Sequence, residues 1–236
     1  MHNPDFERIG KRLFSEHLIG ASFGNMSVRK GDEGFFIKRA GAYLDIPGAP
    51  IFVPLEGSAP KEASSEYRVH RAVYKKSPHA AVIHAHPPYA VAISLVFDEV
   101  IPKDSEGEMF CPMIPVVQGR PGTDELAENV ARCLAVDPVV IARGHGTFAA
   151  GKTPDETYVL TSVAEHSCRV LIVFEGFRQK KKNKKCSYFC CLGGCSSWIS
   201  RIISRWKTRS ISEIIPNMKI SIPTTMSSTV RIVSGM

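Results

Sequence analysis

The chain has 236 residues, 44% hydrophobic and 22% charged, which suits one soluble domain with a sizeable core and leaves little room for a second. The formal charge of +7 comes from the stretch after Phe177, where Lys and Arg crowd around a single acid, Glu213; ahead of it acids slightly outnumber bases, so the charge does not argue for a nucleic-acid partner. No stretch reaches the run of about 18 apolar residues that a membrane helix needs; the polar start from Met1 to Arg12 lacks the apolar core of a secretory signal, so the expected compartment is the cytoplasm.

Residues 4–20 are predicted as a helix. Phe6, Ile9, Leu13, Phe14, Leu18 and Ile19 make one apolar stripe, Asn3 and Pro4 form a good start, and Gly20 ends it. Gly24, Asn25, Met26 and Ser27 have the composition of a tight turn that exposes N–H groups and an amide. Residues 34–41 read as a strand, 48–60 as strand and loop, and 62–75 as a helix. Residues 79–86 form a short apolar run that fits a buried strand, stopped by Pro87 and Pro88. A helix over 89–97, a strand over 111–117 and a helix over 124–134 follow. Residues 137–151 read as strand, turn and strand, and 153–175 as a long helix capped by Thr153 with Pro154 at its first position.

Strands and helices alternate, so the class is α/β, and short turns between several strands imply a largely antiparallel sheet. Cys111, Cys133 and Cys168 stand singly, as reduced apolar side chains do. The character changes after residue 177, so a main domain over 1–177 and a tail over 178–236 are expected. In the tail, Cys186, Cys190, Cys191 and Cys195 lack the paired spacing of zinc fingers. Trp198, Ile199, Ile202, Ile203 and Trp206 among basic residues would suit a helix lying on a membrane. The favoured reading is a disordered or poorly packed extension without membrane contact. A third reading is a segment read out of frame after the lysine run.

His84 and His86 are two apart on a predicted strand, so their rings point to one side and can reach one cation. A pair of satisfied core histidines would give the same pattern. His145 stands between Gly144 and Gly146, which allow a tight turn and close approach. Three imidazoles with an open position make a catalytic zinc site rather than a closed structural one. Ser64, Ser65 and Glu66 stand at the start of a predicted helix, where hydroxyls and N–H groups suit an anion or serve as an ordinary cap.

In this order and spacing, Gly24-Asn25-x-Ser27, Gly41, Ser64-Ser65-Glu66, His84-x-His86-Pro87 and Gly144-His145-Gly146 closely resemble the class II aldolase/adducin family, from about residue 4 to about residue 177. The resemblance implies a three-layer α/β/α fold with a mostly antiparallel central sheet. It implies a homotetramer with active sites at subunit interfaces. His84, His86 and His145 would hold one Zn2+ per subunit, and Glu66 would be the catalytic acid/base. Gly24, Asn25, Gly41, Ser64 and Ser65 would cradle the substrate phosphate.

The implied reaction is cleavage of a short deoxyketose 1-phosphate, of the L-fuculose 1-phosphate kind, into dihydroxyacetone phosphate and a small aldehyde such as lactaldehyde. An epimerase or dehydratase would use the same metal site, and a non-catalytic adducin-like scaffold is the reading from another class. Two departures from the family pattern stand out. Ala40 replaces a hydroxyl residue before Gly41, so either Lys38 or Arg39 would compensate by charge or the substrate's anion would sit differently. The segment 102–107 has no tyrosine where the family's aldolases draw a proton donor from a neighbouring subunit; Asp104 and Glu106 are the candidates to stand in, and the alternative for both is an ordinary solvated loop.

Overall fold

The computed structural model describes residues 4–190. Helix α1 covers Pro4–Ser15, with Asp5 and Glu7 in its first turn and Arg12 in its last, as the helix dipole favours. It is shorter than expected. His17 takes a left-handed φ of 58°, its N–H donates to Phe14 O, and Leu18 N–H donates to Leu13 O. This is the pairing that closes a helix when glycine sits at the turn, here made by histidine. Leu18 and Ile19 still reach the core beside Phe6, Ile9 and Leu13, but from a loop.

The remaining elements are β1 (Asn25–Lys30), β2 (Gly34–Ile37), β3 (Ile51–Pro54), α2 (Tyr67–Lys76), β4 (Ala81–Ala85), α3 (Pro88–Ser94), β5 (Glu99–Val100), α4 (Ser105–Phe110), β6 (Ile114–Val117), α5 (Asp124–Leu134), β7 (Val139–Ala142), β8 (Gly146–Gly151) and α6 (Pro154–Cys190). The sheet order is β3-β2-β1-β4-β8-β7-β6-β5. Its pairs are antiparallel except β6 with β7, which are parallel. A largely antiparallel sheet is what the short turns predict.

Alternation along the strands sorts side chains to two faces. On β7, Val140 and Ala142 join a cluster that includes α2 and α5 residues such as Val69, Val73, Leu126 and Val130. Val139 and Ile141 join Ala90 and Ile93 of α3 and Leu160 and Ala164 of α6. Met26 and Ile83 pack with α1.

Two segments differ from their sequence reading. Of Gly24–Ser27, only Gly24 lies outside the strand, with a left-handed φ of 71°, and Asn25 opens β1. Asn and Ser are poor strand formers, but β1 lies between β2 and β4, and pairing on both sides overrides that preference. Residues 102–107, expected as a loop, carry the start of α4, with Asp104 as its cap. Helix α6 passes residue 178 without a break. Most of the tail, and with it every reading of residues 191–236, lies outside the described residues.

Candidate active site

The end of β4, the turn between β7 and β8, and the loops before β1 and α2 meet in one pocket of about 670 Å3. Residues 84 and 86 face it because of the two-residue period of the strand. His145 enters from the turn, where Gly144 has φ 65°. Gly146 is tightly held, since a Cβ there would stand 2.1 Å from Ala85 O. A side chain at 146 would collide with the Ala85 backbone, and one at 144 would sit at a left-handed φ, 3.2 Å from Leu95 Cδ2.

The three rings converge. His84 Nε2 lies 2.8 Å from His86 Nε2 and 3.2 Å from His145 Nε2. Ligand atoms of all three fall within 4.8 Å of one another. His84 is 1% exposed and stacks on Phe148 at 4.1 Å between ring centroids. Its Nδ1–H donates to Thr147 O at 2.9 Å, which leaves the Nε2 lone pair aimed at the other two rings. Phe23 stacks on His86. Burial pulls all three imidazoles below their ordinary pKa, His86 to about 4, so they stay neutral and able to bind a cation. Three neutral nitrogens facing each other at these distances repel unless a cation or a proton sits between them. The donor set therefore fits one divalent ion with an open position.

Glu66 ends the loop before α2 and is 5% exposed. Its Oε1 accepts from Gly122 N–H at 3.1 Å, and its Oε2 is buried without a partner. Burial raises its pKa, so it holds a proton more readily than an ordinary glutamate. Gly24, Asn25, Gly41, Ser64 and Ser65 all line the same pocket. Two backbone bonds, Ala40 N–H to Glu62 O and Ser64 N–H to Lys38 O, bring the Gly41 and Ser64 loops together.

Lys38 also lines the pocket, and Arg39 does not. Lys38 is 2% exposed, and its Nζ donates to Ser22 O at 2.6 Å and Ala42 O at 2.7 Å. Desolvation brings its pKa down to about 8. Asp104 and Glu106 do not come to the pocket of their own chain. Asp104 Oδ1 accepts from Gly107 N–H and Ser167 Oγ, the work of a helix cap. Phe23, Gly122 and Thr147 were not singled out from the sequence. A backbone N–H or carbonyl contributed by Gly122 or Thr147 has no residue-type signal, and Phe23 reads as an ordinary apolar residue.

Residues 5–172 match the model of the Class II Aldolase and Adducin N-terminal domain. The chain belongs to the class II aldolase/adducin family. It is 31% identical over 175 residues to L-fuculose phosphate aldolase of Methanococcus vannielii, covering 72% of this chain and 95% of that one. It is 28% identical over 144 residues to 5-methylthioribulose-1-phosphate/5-deoxyribulose-1-phosphate aldolase of Rhodospirillum rubrum, covering 55% and 62%. The crystal structure of L-fuculose-1-phosphate aldolase from Thermus thermophilus is similar with a TM-score of 0.72 and 35% identity, covering 75% of this chain and 95% of that one.

Buried neutral histidines make the metal-free protein sensitive to acid. His70, on the inner face of α2, has its pKa pulled down to about 3 by burial, from 6.5. The unfolded chain takes up that proton near pH 6.5 and the folded chain does not, so folding stability is present above 6.5 and falls as pH drops toward 3. Between pH 6.5 and 4.5 His70 alone is expected to remove roughly 2–3 kcal/mol. Urea unfolding of chelator-treated protein at the two pH values, for the native chain and His70→Gln, measures this; equal losses in both proteins would show that His70 is not the source.

Proposed function

We propose that the protein is a zinc-dependent aldolase that cleaves a short deoxyketose 1-phosphate, of the L-fuculose 1-phosphate kind, into dihydroxyacetone phosphate and a small aldehyde. What supports the reading most is one juxtaposition: three convergent imidazoles, a buried carboxylate and the Gly24, Gly41 and Ser64 loops share a single pocket. The substrates named for the similar aldolases above are all ketose 1-phosphates, which supports the substrate class.

In this proposal His84, His86 and His145 hold one zinc ion per subunit. Such an ion would supply Lewis-acid polarisation of the ketone and neighbouring hydroxyl oxygens. The chain's own residues do the rest. Asn25, Ser64 and Ser65, with the N–H groups near Gly24 and Gly41, bind the phosphate and so fix the reacting carbons. Cleavage breaks the bond between the carbon next to the ketone and the hydroxyl-bearing carbon beyond it. The hydroxyl loses its proton, and the carbon next to the ketone gains one. Glu66 delivers that second proton, for which its raised pKa suits it.

Lys38 adds positive charge where Ala40 lacks a hydroxyl. Asp104 and Glu106 are left as candidates for the first proton transfer in a neighbouring subunit, in a homotetramer whose pockets open at subunit interfaces. The fold is taken as three layers, α/β/α, with α2 and α5 on one face of the sheet and α1, α3 and α6 on the other. The free cysteines Cys111, Cys133 and Cys168 agree with a cytoplasmic place. The domain boundary is kept at 177/178.

The test is a screen of ketose 1-phosphates with product identification, run with and without a chelator. Release of dihydroxyacetone phosphate that stops with chelator and returns with zinc is the expected result. Epimer or dehydrated product would replace the aldolase by an epimerase or dehydratase on the same site. No turnover and no bound metal would point to a scaffold.

A further inference from the structure

Among the residues that line the pocket, Phe23 carries a large apolar side chain that is 60% exposed. It belongs to none of the three apolar cores among the described residues. Its ring lies instead on His86, with 5.8 Å between centroids and 21° between planes. A phenyl ring sunk in a core serves packing. One laid on a site histidine and left exposed in the pocket is a piece of its wall.

The turn that carries the ring is pinned on both sides. Phe23 N–H donates to Gly20 O at 3.1 Å, and Ala21 takes a left-handed φ of 50°, a conformation alanine seldom adopts. Such a residue persists only where its surroundings over-determine it. The Lys38 ammonium donates to Ser22 O at 2.6 Å. On the other side, a Cβ at Gly24 would stand 2.9 Å from His84 O. The residues before and after Phe23 are thus held by groups of the pocket itself, and this fixes where the ring stands.

What a bound sugar phosphate can lay on the ring follows from the chemistry of a phenyl face. The face carries the negative part of the ring quadrupole, so it repels a phosphate. It also offers a hydroxyl no partner to replace water. A methyl group loses nothing there and gains by leaving water. The phosphate goes to the donors of the Gly24, Gly41 and Ser64 loops, and the ketone to the ion that the three histidines would hold. The end of the substrate beyond the cleaved bond is the part left for Phe23.

We propose that Phe23 is a specificity-determining residue: stacked on His86, it is the apolar wall that takes the aldehyde end of the substrate and favours one ending in a methyl or longer alkyl group over one ending in CH2OH. This rests on the reading of the pocket as a sugar-phosphate aldolase site. The native protein is expected to cleave a 6-deoxyketose 1-phosphate with a kcat/KM about tenfold or more above that of its 6-hydroxy counterpart, the scale on which an apolar pocket separates groups this alike. Phe23→Ser should bring the ratio close to one, chiefly by a loss on the deoxy substrate, and Phe23→Leu should keep most of it. Were the ring only a prop for His86, the variants would lose bound zinc and slow both substrates alike. A ratio near one in the native protein, or one unchanged in Phe23→Ser, overturns the proposal.

Hydroxamates, which bind zinc without turnover, probe the same wall in the zinc-loaded protein. Butyrohydroxamate is expected to bind about tenfold tighter than 3-hydroxypropanohydroxamate, in which a hydroxyl replaces the terminal methyl, and Phe23→Ser to abolish the difference. Equal binding of the two by the native protein overturns the role of Phe23. A protein that shows the difference yet cleaves no ketose 1-phosphate would overturn the aldolase reading and leave the apolar wall standing.

Discussion

Replacing His84 by alanine is expected to remove the bound metal and with it all measurable turnover. His84 stands in the middle of the triad, since its Nε2 lies within 3.2 Å of the nitrogens of both other rings. It is also the most deeply placed of the three, stacked on Phe148 and fixed by the Thr147 carbonyl. Two imidazoles alone bind zinc far more weakly than three, and loss even of a supporting partner typically costs about 10–100-fold in affinity. Loss of a ligand should exceed that, and activity is expected to drop at least a thousandfold, roughly 4 kcal/mol of lost transition-state stabilisation. Metal content by atomic emission, beside turnover of the best ketose 1-phosphate, measures both. A variant that turns over at the native rate would refute the triad as the reactive centre.

Glu66→Gln separates the carboxylate's chemistry from its place in the fold. Glutamine has nearly the same shape and keeps an oxygen for Gly122 N–H, so folding and metal content should hold. What is lost is a group that can take and return a proton. Loss of a positioned general acid/base typically costs about 10²–10⁴ in rate, and the fall is expected in kcat with KM little changed. Because Glu66 acts in its protonated form, its raised pKa should also appear in cleavage as an alkaline limb of kcat/KM whose apparent pKa lies above that of an ordinary glutamate. Equal kcat for the native protein and the Glu66→Gln variant would remove Glu66 from the mechanism.

Local patterns carried most of the architecture. The stripe of Phe6, Ile9 and Leu13, the cap at Thr153 and the apolar run ahead of His84 are signals spread over a few residues, and the structure has an element at each. The misses are places where neighbours elsewhere in the chain overrule local preference. Asn25 and Ser27 lie in a strand because β2 and β4 hydrogen-bond to both its edges. His17 ends α1 where no glycine announced it, because the turn lets Leu18 and Ile19 pack beside Leu13. Asp104 reads as an acid with a free carboxylate, yet it caps α4 and bonds Ser167 far along the chain.

The order and spacing of glycines, serines and histidines resemble the class II aldolase/adducin pattern closely enough to point to the family, and that resemblance nominated the pocket residues; the two-residue strand period by itself says only that His84 and His86 can share one side. Whether those rings would meet was decided by the tertiary structure alone. His145 is 61 residues from His84, and it is antiparallel pairing of β4 with β8 that carries it there. The same holds for Lys38 drawn between two carbonyls, Glu66 deprived of water, and Phe23 laid on the ring of His86. Each depends on burial and contact between segments remote in sequence, and no local periodicity encodes either.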